Sequence, residues 1–356
     1  MTIYLCNIIL LFAFALIFLY KSPTKQKRKI FVCLASLQWI LLSGLRHVSV
    51  GADTYEYYNS FIRSFDVSWK EAIENFKGVL SGDIEGKDPG YLLFEKICGY
   101  FTSNYQIYLI IVAIIFTGLM GYFIYVNSRD PFISFLIYSC LFYAFFSITG
   151  IRQTIATALS VFVGYELIKK RKLLLFVCII LLAATLHKSA LIFLPYYFFY
   201  NLNINLRYKI VSSVVILCSF IFKYPLSTWF KEIAGYDNYG VYVGAGTDTF
   251  TFLLILLVMF MFVFSKQILY KNEKNKYYYN ALVIALFFVP LTYINPSAMR
   301  IVQYYSIFMM FVIPEIICVF KERDRKIVKF LFVCLIVFLF MKGNPKYLFF
   351  WQGMPI

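Results

Sequence analysis

Six ionisable side chains stand at the edges of strongly apolar runs: Arg46, Asp53, Glu95, Arg152, His187 and Arg300. Gln153 and Lys188 directly follow two of them. An arginine presents a planar fork of donors that grips phosphate oxygens two at a time and stays charged at any pH. Three such forks gathered at one level would neutralise a pyrophosphate without a metal. A carboxylate or imidazole beside them would take the proton of an attacking hydroxyl, a contribution of about 10²–10⁴-fold. The chemistry implied is group transfer in which a lipid-linked diphosphate leaves. Nucleotide-binding glycines and a P-loop are missing, which fits an activated lipid substrate better than a nucleotide. With two histidines and no paired cysteines there is no zinc ligand set, and no metal or other cofactor is expected.

Each residue also has a structural role open to it. Arg46 and Arg300 suit snorkelling anchors at the membrane interface. Asp53 suits the N-cap of a helix opening at Thr54, His187 a satisfied imidazole at the end of an apolar run, and Glu95 a solvent-facing position on a surface helix. Arg152 is harder to reduce to structure, because Gly150-Ile151-Arg152-Gln153-Thr154 makes a tight turn between two apolar segments.

The elements that must position these groups are membrane spans. Of the 356 residues, 61% are hydrophobic and only 15% charged, against about 25% charged in a soluble domain. The bilayer is therefore the solvent. Aromatics reach 21%, which suits broad interfacial belts. The net charge of +16 reads as membrane orientation, with no nucleic acid among the expected partners. The eight cysteines read as small packing residues. Spans of about 17–25 apolar residues fall near 3–20, 30–45, 105–126, 131–148, 151–168, 173–187, 189–203, 210–223, 249–270, 277–294, 300–320 and 327–342. The expected fold is all-α, a polytopic transmembrane helix bundle of about twelve spans, or ten to twelve because two pairs nearly merge.

The short loops following alternate spans hold 21 of the 34 lysines and arginines. The positive-inside rule makes those loops cytoplasmic. Both termini and all six ionisable groups then fall on the outer face. Two outer stretches are longer than turns. Residues 46–104 form a large extracytoplasmic loop in which Trp69, Ile73, Phe76 and Leu80 recur at helical spacing, the mark of an amphipathic helix lying in the interface. A second helix is expected from Asp88-Pro89, with Asp88 as N-cap. Residues 224–248, rich in Gly and Tyr, read as an outer flap, and the whole chain 1–356 as a single integral membrane domain.

The segment Gly44 to Tyr55, with Tyr58 and Phe61 after it, resembles the R-x-x-x-x-G-x-D-x-x-x-Y signature of the EpsG-like, Wzy-type polysaccharide polymerases. Three further pieces are similar to that family in the same order: Asp88-Pro89-Gly90-Tyr91 to Glu95, Gly150-Ile151-Arg152-Gln153, and Leu186-His187-Lys188-Ser189-Ala190. Asn295-Pro296 to Arg300, and the terminal Asn344-Pro345-Lys346-Tyr347 with Phe349-Phe350-Trp351, are weaker matches.

The resemblance implies a bacterial inner-membrane glycosyltransferase. It would join oligosaccharide repeat units carried on undecaprenyl diphosphate, on the periplasmic or outer face, into O-antigen, capsule or exopolysaccharide. Donor and acceptor are both lipid-linked oligosaccharides, membrane lipid surrounds the chain, and a chain-length regulator protein is an expected partner. In this reading Arg152 and Arg300, with Arg46, hold the departing diphosphate. His187 or Asp53 is the base, with Glu95 a further carboxylate. Gln153, Lys188, Tyr55, Tyr58 and Trp69 bind substrate, the aromatics by stacking on sugar rings. An O-antigen ligase uses nearly the same chemistry. A flippase for the same lipid would want polar groups near the midplane, and an acyltransferase would have no use for three outer arginines.

Overall fold

The computed structural model describes residues 2–21, 23–234, 247–343 and 346–353. Among them the chain is helical, apart from one isolated antiparallel bridge between Arg46 and Phe349. It divides into two compact units, Met1–Leu191 with Phe332–Ile356, and Ile192–Leu331.

In the first unit, α1 (Thr2–Phe18) and α2 (Lys25–Gly44) are followed by three helices of the long loop: α3 (Thr54–Arg63), α4 (Trp69–Ser81) and α5 (Pro89–Phe101). The 3.6-residue spacing read from Trp69 onward is borne out by α4. Its start is fixed by a capping box in which Ser68 and Glu71 satisfy each other's backbone N–H. After α6 (Tyr105–Asn127) comes α7 (Pro131–Ile137), which runs on through two wide π turns, Tyr138–Phe142 and Ala144–Thr149. Gly150 breaks the path. Next, α8 (Ile151–Thr157) continues through a third π turn, Ala158–Val163, into α9 (Gly164–Lys169), and α10 (Leu173–Leu186) follows. π turns commonly mark functional positions, and here two of the three flank the turn that carries Arg152.

The basic loops of this unit meet at one end. The Arg28 guanidinium donates to the Ser128 carbonyl, and Lys169 Nζ donates to Asn127 Oδ1 at 3.0 Å. At the other end, the Gln106 amide donates to the carbonyls of Gly44 and Arg46. Tyr4, near the start of α1, packs its ring on Tyr347 at 5.5 Å, and His47 N donates to Leu348 O at 2.8 Å. The beginning of α1 and the segment 346–353 therefore share the end that holds Arg46.

The second unit contains α11 (Tyr196–Phe199), α12 (Leu206–Ile221), α13 (Lys223–Ala234), α14 (Asp248–Lys271), α15 (Asn275–Thr292), α16 (Met299–Ser306) and α17 (Met309–Ile317). Finally α18 (Glu322–Lys342) crosses the boundary between the units in sequence. Basic loops gather at one end here too, since Lys276 Nζ donates to Asn203 Oδ1 at 3.3 Å and Lys271 Nζ to Cys318 O at 2.5 Å.

Among the described residues two helices, α6 and α14, are by length and composition able to cross a membrane on their own. Two bent pairs raise that number to four: α12 with Lys223–Phe230, bent by 83°, and Pro296–Ser306 with α17, bent by 54°. The helices among the described residues do not confirm the expected count of about twelve. Most of the apolar segments are helical but short, π-wound or bent. The segment expected as a span over 189–203 is a tight 3₁₀ turn, Lys188–Phe193, followed by the four-residue α11. Of the expected flap 224–248, residues up to 234 belong to α13, and 235–246 lie outside the described residues.

Candidate active site

Asp88 is the hub of the charged cluster in the first unit. Its Oδ2 accepts from Arg152 Nη1 at 2.9 Å and from His187 Nδ1 at 3.1 Å, while Oδ1 accepts from the Lys188 backbone N–H at 2.9 Å. Three segments far apart in sequence therefore converge on one carboxylate. Local chemistry explains how. Asp88 adopts a left-handed backbone (φ 55°), a conformation that Asp tolerates better than most residues. It occupies the N-cap position of α5 but makes no capping bond, so its side chain is free to turn toward α10. Pro89 needs no partner for the N–H it lacks. Gly90 supplies the close approach. A Cβ there would lie 2.3 Å from Thr185 Oγ1 and 3.1 Å from the Thr185 backbone carbon, so any larger residue would force α5 away from α10.

His187 ends α10 in an extended conformation and is 5% exposed. With Nδ1 bonded to the carboxylate, that nitrogen carries the proton and Nε2 is the basic one. Nε2 is buried and makes no hydrogen bond among the described residues. Burial pushes the Asp88 carboxyl up, but its bonds to His187 and to the Lys188 N–H, with the charge of Arg152, outweigh this and hold it below its ordinary range. The hub stays ionised at neutral pH.

Arg152 sits in the first turn of α8, and its side chain remains 37% exposed. Its guanidinium lies 5.8 Å from the ring centres of both Tyr57 and Tyr91, a cation–π pairing that fixes the plane of the fork. Tyr91 Oη bonds Tyr108 Oη at 2.8 Å, which ties this aromatic wall to α6. One face of Arg152 is thus held by Asp88 while a third of the side chain stays open to an anion.

Glu95, one helical turn beyond Tyr91, is fully buried rather than solvent-facing. Its Oε2 accepts from Ser60 Oγ at 2.8 Å. Burial pushes its pKa up to about 7, against the Ser60 bond and the charges of Arg152 and Arg63.

The other expected site residues fall elsewhere. Arg46 is 2% exposed and lies beneath the segment 346–353 through the bridge to Phe349. Its Nη1 donates to the Ser43 carbonyl and, at 3.3 Å, to Ser43 Oγ; tyrosines 4, 105, 108 and 347 surround it. Arg46 therefore sits in its own buried pocket and makes no bond to the Asp88 cluster. Arg300 belongs to the second unit, in the first turn of α16, after a short 3₁₀ turn capped by Asn295. Asp53 occupies the N-cap position of α3 without a side-chain capping bond, half-buried and outside the ligands of Asp88. Gln153 is buried in α8, and the Lys188 side chain is exposed while its backbone joins the hub. Tyr55, Tyr58 and Trp69 are exposed aromatics on α3 and α4; Tyr58 packs edge-on to Tyr105 at 5.1 Å, and Lys96 lies over Trp69 at 5.2 Å. Of the terminal motif, Asn344 and Pro345 lie outside the described residues.

Sequence reasoning missed Asp88 as a ligand and Tyr57 as the aromatic partner of Arg152. Both had a signal. Asp88 precedes Pro-Gly beside two charged segments, and Tyr57 is the residue at the last position of the R-x-x-x-x-G-x-D-x-x-x-Y pattern that begins at Arg46.

A helical, bilayer-adapted chain with a buried Asp–His pair beside an open, ring-backed arginine defines a membrane protein equipped for proton transfer next to an anion. Its residues 29–347 match the EpsG family, and the chain belongs to that family. In general terms this makes it a membrane polysaccharide polymerase with glycosyltransferase-like activity. No curated protein matches the chain, and no solved structure does.

Proposed function

We propose that this protein joins oligosaccharide repeat units carried on undecaprenyl diphosphate. The growing glycan moves from its lipid carrier to a hydroxyl of the next lipid-linked unit, on the outer face of the bacterial cytoplasmic membrane, during synthesis of an O-antigen, capsule or exopolysaccharide. The observation that carries this reading is the Asp88 hub, which joins a proton acceptor and a phosphate-binding fork on one buried carboxylate. His187 Nε2 takes the proton of the acceptor hydroxyl. Asp88 fixes the tautomer and stabilises the imidazolium that forms, as carboxylates paired with histidine do elsewhere. The open part of Arg152 meets the diphosphate as negative charge develops on the leaving oxygen, so the electrostatic stabilisation needs no metal. Tyr55, Tyr58 and Trp69 supply exposed aromatic faces for sugar rings.

In this reading the Asp88 end lies outside together with both termini, and the lysine- and arginine-rich loops support it through the positive-inside rule. The test is the surface-glycan profile of cells lacking the gene, complemented by wild type, Arg152→Ala or His187→Ala at matched membrane levels. A single repeat in the deletion, extended to a ladder only by wild type, is expected. Loss of all surface glycan with lipid-linked material accumulating would instead mark a ligase or flippase.

A further inference from the structure

The second unit contains a cavity of about 660 Å³ between α12, α15 and the chain around α11. Its size falls within the ~300–1,000 Å³ of ordinary ligand sites. Its lining changes character from one end to the other. Along α12 it runs from Arg207 through Val211 and Val215 to Ile216, and along α15 from Asn280 to Phe288. At 1.5 Å per residue these stretches are about 14 and 12 Å long. One end is polar, with Asn203, Asn205, Arg207, Tyr208 and Asn280; beyond it the lining is apolar except for Ser212 and Tyr305.

Two polar groups at that end are unspent. Among the described residues Arg207 makes no hydrogen bond or ion pair, and it is exposed. Asn280 is buried; its Nδ2 donates to Tyr200 O at 2.9 Å and Leu202 O at 3.0 Å, while its Oδ1 has no partner. A buried acceptor left without a partner is costly, so it invites a donor. The mouth is also positively biased. Lys276 bonds Asn203 and is matched by Glu273, while Lys209 bonds Phe262 O and Ser265 Oγ, leaving Arg207 without an opposite charge.

We propose that this cavity binds one anionic phospholipid of the phosphatidylglycerol kind. Its phosphate lies on Arg207, a headgroup hydroxyl donates to Asn280 Oδ1, and an acyl chain fills the slot toward Phe288. Basic pockets between membrane helices take anionic headgroups for this reason. A depth of about 14 Å matches half of the ~30 Å hydrocarbon core, the reach of a chain from a single leaflet. A polyprenyl carrier is several times longer. The site belongs to the end that the basic loops assign to the cytoplasm, away from the Asp88 cluster in sequence and in role, and it does not depend on the polymerase reading.

The test is native mass spectrometry of the delipidated full-length chain, offered phosphatidylglycerol, phosphatidylcholine or undecaprenyl phosphate in separate arms. Wild type is expected to retain one phosphatidylglycerol and little phosphatidylcholine. Arg207→Ala, an exposed position, is expected to lower retention by about tenfold through loss of a charge-assisted contact. Val215→Trp, whose new ring fills the slot from a position already 44% exposed, is expected to lower it similarly in a chain that still melts cooperatively. Equal retention of the two phospholipids, or no response to either substitution, would reduce the cavity to ordinary lipid contact and overturn the proposal. Stronger, Arg207-dependent retention of undecaprenyl phosphate would overturn it in favour of the reaction's own carrier.

Discussion

Replacing Asp88 with Asn keeps the shape of the hub and removes its charge. The carboxylate now accepts three hydrogen bonds, from Arg152, His187 and the Lys188 N–H. An amide has one acceptor atom, so its NH₂ must face either the Lys188 N–H or, in the flipped orientation, the His187 Nδ1–H and the Arg152 fork together, donor against donor. A buried ion pair stripped of one partner costs about 3–5 kcal/mol. Here the cost is smaller, because the Arg152 side chain is 37% exposed and regains water. The loss of stability should be about 2 kcal/mol, one charge-assisted bond. Activity should fall much further, since without the carboxylate His187 no longer holds its proton on Nδ1, and the matching exchange in serine-protease triads costs about 10⁴-fold. The expected loss is about 10²–10⁴-fold in linkage formation, measured with purified protein in lipid nanodiscs and a synthetic lipid-linked repeat unit. Asp88→Asn combined with His187→Ala should be little worse than either alone, because the two act as one unit. Retention of more than a tenth of wild-type activity by Asp88→Asn, with normal folding, would refute the assigned pairing.

Arg152→Lys keeps the charge but loses the planar fork and its seating between Tyr57 and Tyr91; turnover should fall about 100-fold while Arg152→Ala is inactive, read from the same assay. Glu95 makes stability fall as pH rises. Its folded pKa of about 7 lies above the ordinary 4.5, so its contribution is complete below about pH 4.5 and is lost through pH 7, about 3 kcal/mol in all. Melting temperatures of the detergent-solubilised protein should therefore drop between pH 5 and 8, and Glu95→Gln should flatten that slope. Gly90→Ala drives a methyl group into Thr185 and should lower turnover more than tenfold by parting Asp88 from His187. Adding Thr185→Gly in the same chain should restore part of the activity.

Much of the fold could be read from particular residues. The spacing from Trp69 to Leu80 gave α4, Asp88-Pro89 gave the opening of α5, and Gly150 marked the break before Arg152. Apolar runs were less informative about regularity. The same hydrophobic content serves a straight helix such as α6, a π-wound path such as 138–149, or a 3₁₀ turn such as 188–193, because burial in lipid or protein rewards all three. The site was legible as a set of residues and not as a geometry. Asp88 read as a cap because its position is that of one, while its side chain turns away through a left-handed backbone that no local pattern announces. Arg46 read as a phosphate ligand, yet it lies under Phe349, a contact between residues some 300 positions apart.

The most direct test of the central claim uses the purified chain alone in nanodiscs with one synthetic undecaprenyl-diphosphate repeat unit and no nucleotide sugar. The account predicts a ladder of glycans at whole multiples of the repeat, one undecaprenyl diphosphate released per new linkage, and neither product from His187→Ala. A wild-type reaction that never exceeds one repeat, or a ladder that His187→Ala produces equally well, would contradict it.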